Sequence, residues 1–162
     1  MKAMSVMRFA LVGAVGFGLG VLIAGAGFLI PFGGALGGAS LGLALEDKRK
    51  VAILAVLGAI GATCGVRVIL VMGSAVWDYP LRMAVVIGAM VGAWLGVAFW
   101  DCKSIVALTV VGAVGFGLGG AIAGDSLPWL LAIGSIGGAS LGAALGYLED
   151  RSLADTQRPR VR

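Results

Sequence analysis

LVGAVGFGLG, residues 11–20, returns as VVGAVGFGLG at residues 110–119. Nine of the ten positions are identical, and Phe17 and Phe116 hold the same place in both. A second match lies downstream of each: GGASLG at Gly37–Gly42 recurs unchanged at Gly137–Gly142. The middle of the chain carries the same skeleton more faintly. Gly58, Gly61 and Gly65 repeat the spacing of Gly13, Gly16 and Gly20, and of Gly112, Gly115 and Gly119. Three further series step by four: Gly34/Gly38/Gly42, Gly88/Gly92/Gly96 and Gly134/Gly138/Gly142, the last continuing to Gly146. Leu41, Leu95 and Leu141 occupy the same place in each series. Three tandem units follow, each closed by an acid and a base: Asp47-Lys48, Asp101-x-Lys103 and Asp150-Arg151.

The spacing has a physical reading. Residues at i, i+4 and i+8 lie along one ridge of a helix. When all are glycine the ridge loses its side chains and a second backbone can approach it. In lipid, where little hydrophobic drive acts between helices, that close contact is what holds them together. A lone G-x-x-x-G is weak evidence; three matched series in one chain are strong. The expected helix-packing residues are Gly16, Gly20, Gly34, Gly38, Gly42, Gly61, Gly65, Gly88, Gly92, Gly96, Gly115, Gly119, Gly134, Gly138, Gly142 and Gly146. Their ridges face either one another or a partner.

Composition points the same way. Of 162 residues 29 are glycine, only 12% are charged, and mean hydropathy is +1.07. That charge fraction is about half the ~25% of a soluble domain, which excludes a water-soluble globule. The glycines keep no three-residue period, which excludes collagen. Histidine, the commonest general base and metal ligand, is absent.

Charge clusters leave three apolar stretches, Phe9–Leu45, Val51–Trp100 and Ser104–Leu148. One spanning helix needs roughly 20 apolar residues, so each stretch holds two helices and a turn. The turn signals are Gly25-Ala26-Gly27 with Pro31, Trp77-Asp78-Tyr79-Pro80, and Gly124-Asp125-Ser126-Leu127-Pro128. The fold expected is an all-α integral membrane protein. Its six transmembrane helices, near 6–26, 31–46, 51–74, 81–100, 104–123 and 128–148, form three glycine-zipper αα-hairpins with a pseudo-threefold repeat. The hairpins are residues 1–50, 51–103 and 104–151, followed by a polar cytoplasmic tail, 152–162, within one membrane domain.

Lys and Arg set the orientation. Six spans place both termini and the loops near residues 47 and 101 on one side, with ten basic residues against Arg67 and Arg82 on the other. Positive charge marks the cytoplasmic face, so both termini are expected there, in a plasma (inner) membrane of the bacterial type. Trp77, Tyr79, Trp129, Trp100 and Tyr147 fit the two aromatic belts. Lys2, Arg8 and Ala24-Gly25-Ala26 also resemble a signal peptide with its cleavage site. The return of Leu11–Gly20 inside the later chain argues for a retained helix.

Candidate chemistry is sparse. Gly115–Gly120 matches G-x-G-x-x-G, but within an apolar helix rather than between strand and helix, so it is not a dinucleotide site. Arg67 lies inside the third apolar helix, where the other units have Leu22 and Ala121. It is either a snorkelling or ion-paired residue, with Asp78 or Asp125 as partner, or a charge on a solute pathway. Trp94 stands where the other units have Ser40 and Ser140. Cys64 and Cys102 are too differently placed to form a bridge. No cofactor, metal, nucleic acid or enzymatic activity is expected. The partners expected are the lipid bilayer and, for an outward-facing glycine ridge, a second copy or another membrane protein. The leading function is a non-enzymatic scaffold, assembly or accessory subunit. The alternative is a small channel or transporter for an ion or small solute, with Arg67 on its path.

Overall fold

An apolar solvent offers a backbone N–H no partner outside its own chain, so glycine-rich segments that would fray in water are held helical. A computed structural model describes residues 2–24, 30–72, 80–99, 101–123 and 129–156, and among these the regular structure is entirely α-helical. The six helices are α1 (Lys2–Ala24), α2 (Ile30–Ala44), α3 (Lys48–Met72), α4 (Pro80–Val97), α5 (Cys102–Ala123) and α6 (Trp129–Thr156). The expected turns at 25–27, 77–79 and 124–128 lie outside the described residues. Pro31 and Pro80 fall in the first turns of α2 and α4, where a missing N–H costs nothing.

The ends of the helices differ from expectation in three places. Asp47 and Asp101 do not close one unit so much as open the next helix. The Arg49 amide donates to the Asp47 carboxylate at 2.9 Å, and the Ser104 amide and hydroxyl donate to that of Asp101 at 3.3 Å each. Each carboxylate thus satisfies an amide that the first helical turn leaves unpaired. Second, α2 stops at Ala44, because Glu46 turns left-handed at φ 57°. Third, Asp150-Arg151 does not end a helix. With no glycine or proline between Leu148 and Pro159, α6 runs on to Thr156, and the Arg151 guanidinium stacks 5.8 Å from the Tyr147 ring centre.

Among the described residues four helices are long and apolar enough to cross a bilayer: Ser5–Ile23, Lys48–Met72, Cys102–Ile122 and Leu131–Arg151. The apolar helices Ile30–Ala44 and Leu81–Val97 are shorter. At ~1.5 Å per residue α2 spans about 22 Å, short of a hydrocarbon core of ~30 Å.

Each helix packs antiparallel on the next, giving the hairpins α1·α2, α3·α4 and α5·α6, and α6 returns to pack on α1. The result is a closed up-and-down ring. Backbones touch most closely between hairpins. Gly34 meets the carbonyl oxygen of Gly58 and Gly58 that of Gly34; Gly88 and Gly112 do the same, as do Gly138 and Gly13. The Cα–H that stands where a Cβ would be points at the partner's carbonyl oxygen in both directions. Such contacts are worth ~0.5–1 kcal/mol each. Below them Gly38, Gly92 and Gly142 face the carbonyls of Leu54, Leu108 and Phe9, and Gly42, Gly96 and Gly146 face the backbones of Val51, Ile105 and Val6.

These three contact sets are alike in space but not in sequence register. The shared GGASLG matches Gly38 to Gly138, yet the partner of Gly58 is Gly34 whereas that of Gly13 is Gly138. Where α6 closes on α1 it has moved on by one helical turn. Gly146, the extra member of its series, supplies the contact that Gly42 and Gly96 supply elsewhere.

Candidate functional site

The inside of the ring is the first place to look for a solute path. One buried cluster draws residues from all six helices, including Phe9, Phe17, Leu41, Leu54, Val91, Leu95, Leu108, Phe116, Leu141 and Leu145. Leu41, Leu95, Leu108, Leu141 and Leu145 have no accessible surface at all. Phe17 of α1 and Phe116 of α5, helices that are not ring neighbours, meet across the interior edge to face at 5.7 Å and 88°. Gly37 and Gly137 leave the space in which those rings lie. The middle unit of the pattern inverts the volumes: Ala62 stands for phenylalanine and Val91 for glycine, both buried.

Four hydroxyls within the helices bond back to their own helices. Ser40 donates to the Gly37 carbonyl at 2.7 Å, Thr63 to Ala59 at 2.7 Å, Thr109 to Ile105 at 2.7 Å and Ser140 to Ile136 at 2.9 Å. Ser40 and Ser140 pack against Gly16 and Gly115, and the Trp94 Cβ lies 3.3 Å from the Cβ position of Gly61. Cys64 and Cys102 are free thiols.

Arg67 is exposed. It belongs to the stripe Ile53, Val56, Ile60, Thr63, Arg67 and Leu70, which is exposed along α3 and points away from the buried cluster. Similar apolar stripes run along α1 (Leu11, Val15, Leu19, Leu22) and α5 (Val106, Val110, Val114, Leu118). Together they make a girdle suited to acyl chains. Asp78 and Asp125 lie outside the described residues. Each of the sixteen glycines expected to pack helices has another helix of this chain against it.

Among the described residues most charged side chains collect at one end of the ring, where α1, α3 and α5 begin and α2, α4 and α6 finish. Arg8 and Glu46 form an ion pair there at 2.7 Å, both largely exposed and so worth less than ~1 kcal/mol. Beside it is a cavity of about 230 Å³ lined by Leu45, Lys50, Ile53, Leu54, Ala98, Phe99 and Glu149. No motif or spacing in the sequence marks Lys50 or Glu149. They sit in different thirds of the chain, and only the antiparallel ring brings both to this end.

Comparison with protein-family models, with curated proteins and with solved structures finds no match for this chain. The four long apolar helices, joined in one antiparallel ring with an apolar girdle, make it a multi-pass membrane protein.

Proposed function

We propose that the chain is a non-conducting, non-enzymatic membrane module that serves as a scaffold or accessory subunit through its outer surface and its charged end. The observation that carries this is the interior. Leucine side chains of α2 to α6, exposed by 1% or less, meet Phe9, Phe17 and Phe116 there, and the hydroxyls of Ser40, Thr63, Thr109 and Ser140 bond to their own helices. A conducting path needs water, or polar groups that replace it, along its length. The single intramembrane charge of α3 lies on the lipid-facing stripe instead.

The finer architecture belongs to the same proposal. Three glycine-zipper hairpins, 1–50, 51–103 and 104–151, surround a pseudo-threefold axis, and all six helices span. The short helices α2 and α4 each lie between two long ones, antiparallel to both, so the bilayer that takes their neighbours takes them. The end that carries Arg8, Lys48, Arg49, Lys50, Lys103 and Arg151 faces the cytoplasm of a bacterial-type plasma membrane.

Reconstitution into liposomes tests the central claim. Purified protein is assayed for flux of monovalent ions and small neutral and anionic solutes, beside Arg67→Leu and empty vesicles. Flux equal to that of empty vesicles is expected. Protein-dependent flux that disappears in Arg67→Leu would overturn the proposal in favour of a channel or transporter.

A further inference from the structure

The cavity at the charged end brings together two opposite charges that do not close on each other. Lys50 comes from the first turn of α3 and Glu149 from the last turns of α6, and both are half-buried on its wall. Among the described residues the close ion pair of this end is Arg8–Glu46, not Lys50–Glu149. The rest of the wall is apolar: Leu45, Leu54, Ala98 and Phe99 behind, and Ile53 at the lip. Ile53 also opens the exposed stripe of α3, so the cavity is continuous with the acyl-chain girdle.

Of α1, α3 and α5, only α3 offers a lysine and an isoleucine at these places. At the places of Lys50 and Ile53, α1 has Ser5 and Arg8, and Arg8 is held by Glu46; α5 has Ser104 and Ala107, and Ser104 is buried against Asp101. We propose that this cavity binds the headgroup of a zwitterionic phospholipid bearing a primary ammonium, of the phosphatidylethanolamine class, with its phosphate on Lys50, its ammonium on Glu149 and its chains along Ile53 and Val56. Charge complementarity selects the occupant. A purely anionic headgroup meets Glu149 repulsively, and a quaternary ammonium cannot donate the hydrogen bond that a carboxylate accepts. Volume sets the limit of what enters. At about 230 Å³ the space is below the ~300–1,000 Å³ of sites that enclose a whole ligand, so it takes the headgroup and leaves the chains outside.

Native mass spectrometry of the full chain in detergent tests this, with dioleoyl-phosphatidylethanolamine, -phosphatidylcholine or -phosphatidylglycerol added at equal concentration, and free phosphoethanolamine as a fourth arm. One phosphatidylethanolamine retained per chain is expected, with about tenfold weaker retention in Lys50→Ala or Glu149→Gln, the scale of one charge-assisted hydrogen bond. The reversed pair Lys50→Glu with Glu149→Lys keeps both charges and is expected to regain part of the preference that Lys50→Glu alone loses. Equal retention of the three lipids by the native chain would overturn the proposal, as would retention indifferent to both single substitutions. Binding of free phosphoethanolamine as tight as that of the lipid would overturn the choice of a lipid occupant.

Discussion

A single added methyl group is the finest probe of this protein, because so many of its contacts are backbone against backbone. A Cβ at Gly38 would run into the carbonyl of Leu54, and one at Gly138 into that of Gly13. At Gly65 it would stand 3.0 Å from the Ile87 Cα, where a small shift of the helix relieves it. Overpacking costs ~1–3 kcal/mol in soluble cores. Gly38→Ala and Gly138→Ala are expected at the upper end of that range and Gly65→Ala at the lower, measured by reversible denaturation in mixed micelles. Phe17 gives the opposite probe. Its removal leaves a void between Gly37 and Phe116, costing on the order of 2–3 kcal/mol. That is below the ~3–5 of a water-soluble core, because lipid cancels most of the transfer term. Adding Gly37→Val to Phe17→Ala copies the buried Ala62 and Val91 of the middle hairpin. It is expected to restore at least half of the loss; a double variant no more stable than Phe17→Ala alone would show that the two arrangements are not interchangeable.

At the scale of the helix, the apolar stretches and the placing of Pro31 and Pro80 at helix starts are legible, because lipid enforces helix. The capping role of Asp47 and Asp101 is not. An acid between two helices is equally readable as the end of one or the start of the other, and only the amides of Arg49 and Ser104 decide. Asp101→Ala is expected to cost about 1 kcal/mol, while Asp101→Asn, which still accepts the hydrogen bond, costs a few tenths. Hydrogen exchange over residues 102–105 reads the difference, and equal protection in the two variants would contradict the cap. The extension of α6 is hidden in the sequence for a related reason. Charge alone does not end a helix, and Glu149 to Thr156 contains nothing that breaks one. The Lys50–Glu149 cavity was beyond reach altogether, since no pattern along the chain relates the start of α3 to the end of α6.

For the whole molecule the closure of α6 on α1 makes a prediction about connectivity. Antiparallel packing puts the start of α1 and the end of α6 at the same end of the ring, beside the short turn between α2 and α3. A permuted chain that joins 156 to 2 through a flexible linker and opens between Glu46 and Asp47 keeps every helix contact. It is expected to reach the membrane and to denature within about 1 kcal/mol of the native chain, with Asp47 still able to cap α3. A permutant that inserts but has lost its resistance to denaturant would mean that the α2–α3 turn itself, rather than the interfaces, holds the ring together.

The one-turn offset at that closure gives the molecule a pitch. Four residues amount to about 6 Å, so relating each hairpin to the next takes a climb of ~2 Å as well as a rotation. The ring is a split washer, and the α6–α1 seam recovers in one step the height gained in the other two. Three copies of the first hairpin, whose series ends at Gly42, are expected to rise as an open spiral with its ends one turn out of reach, and Gly146 supplies the contact with which this chain meets its own beginning.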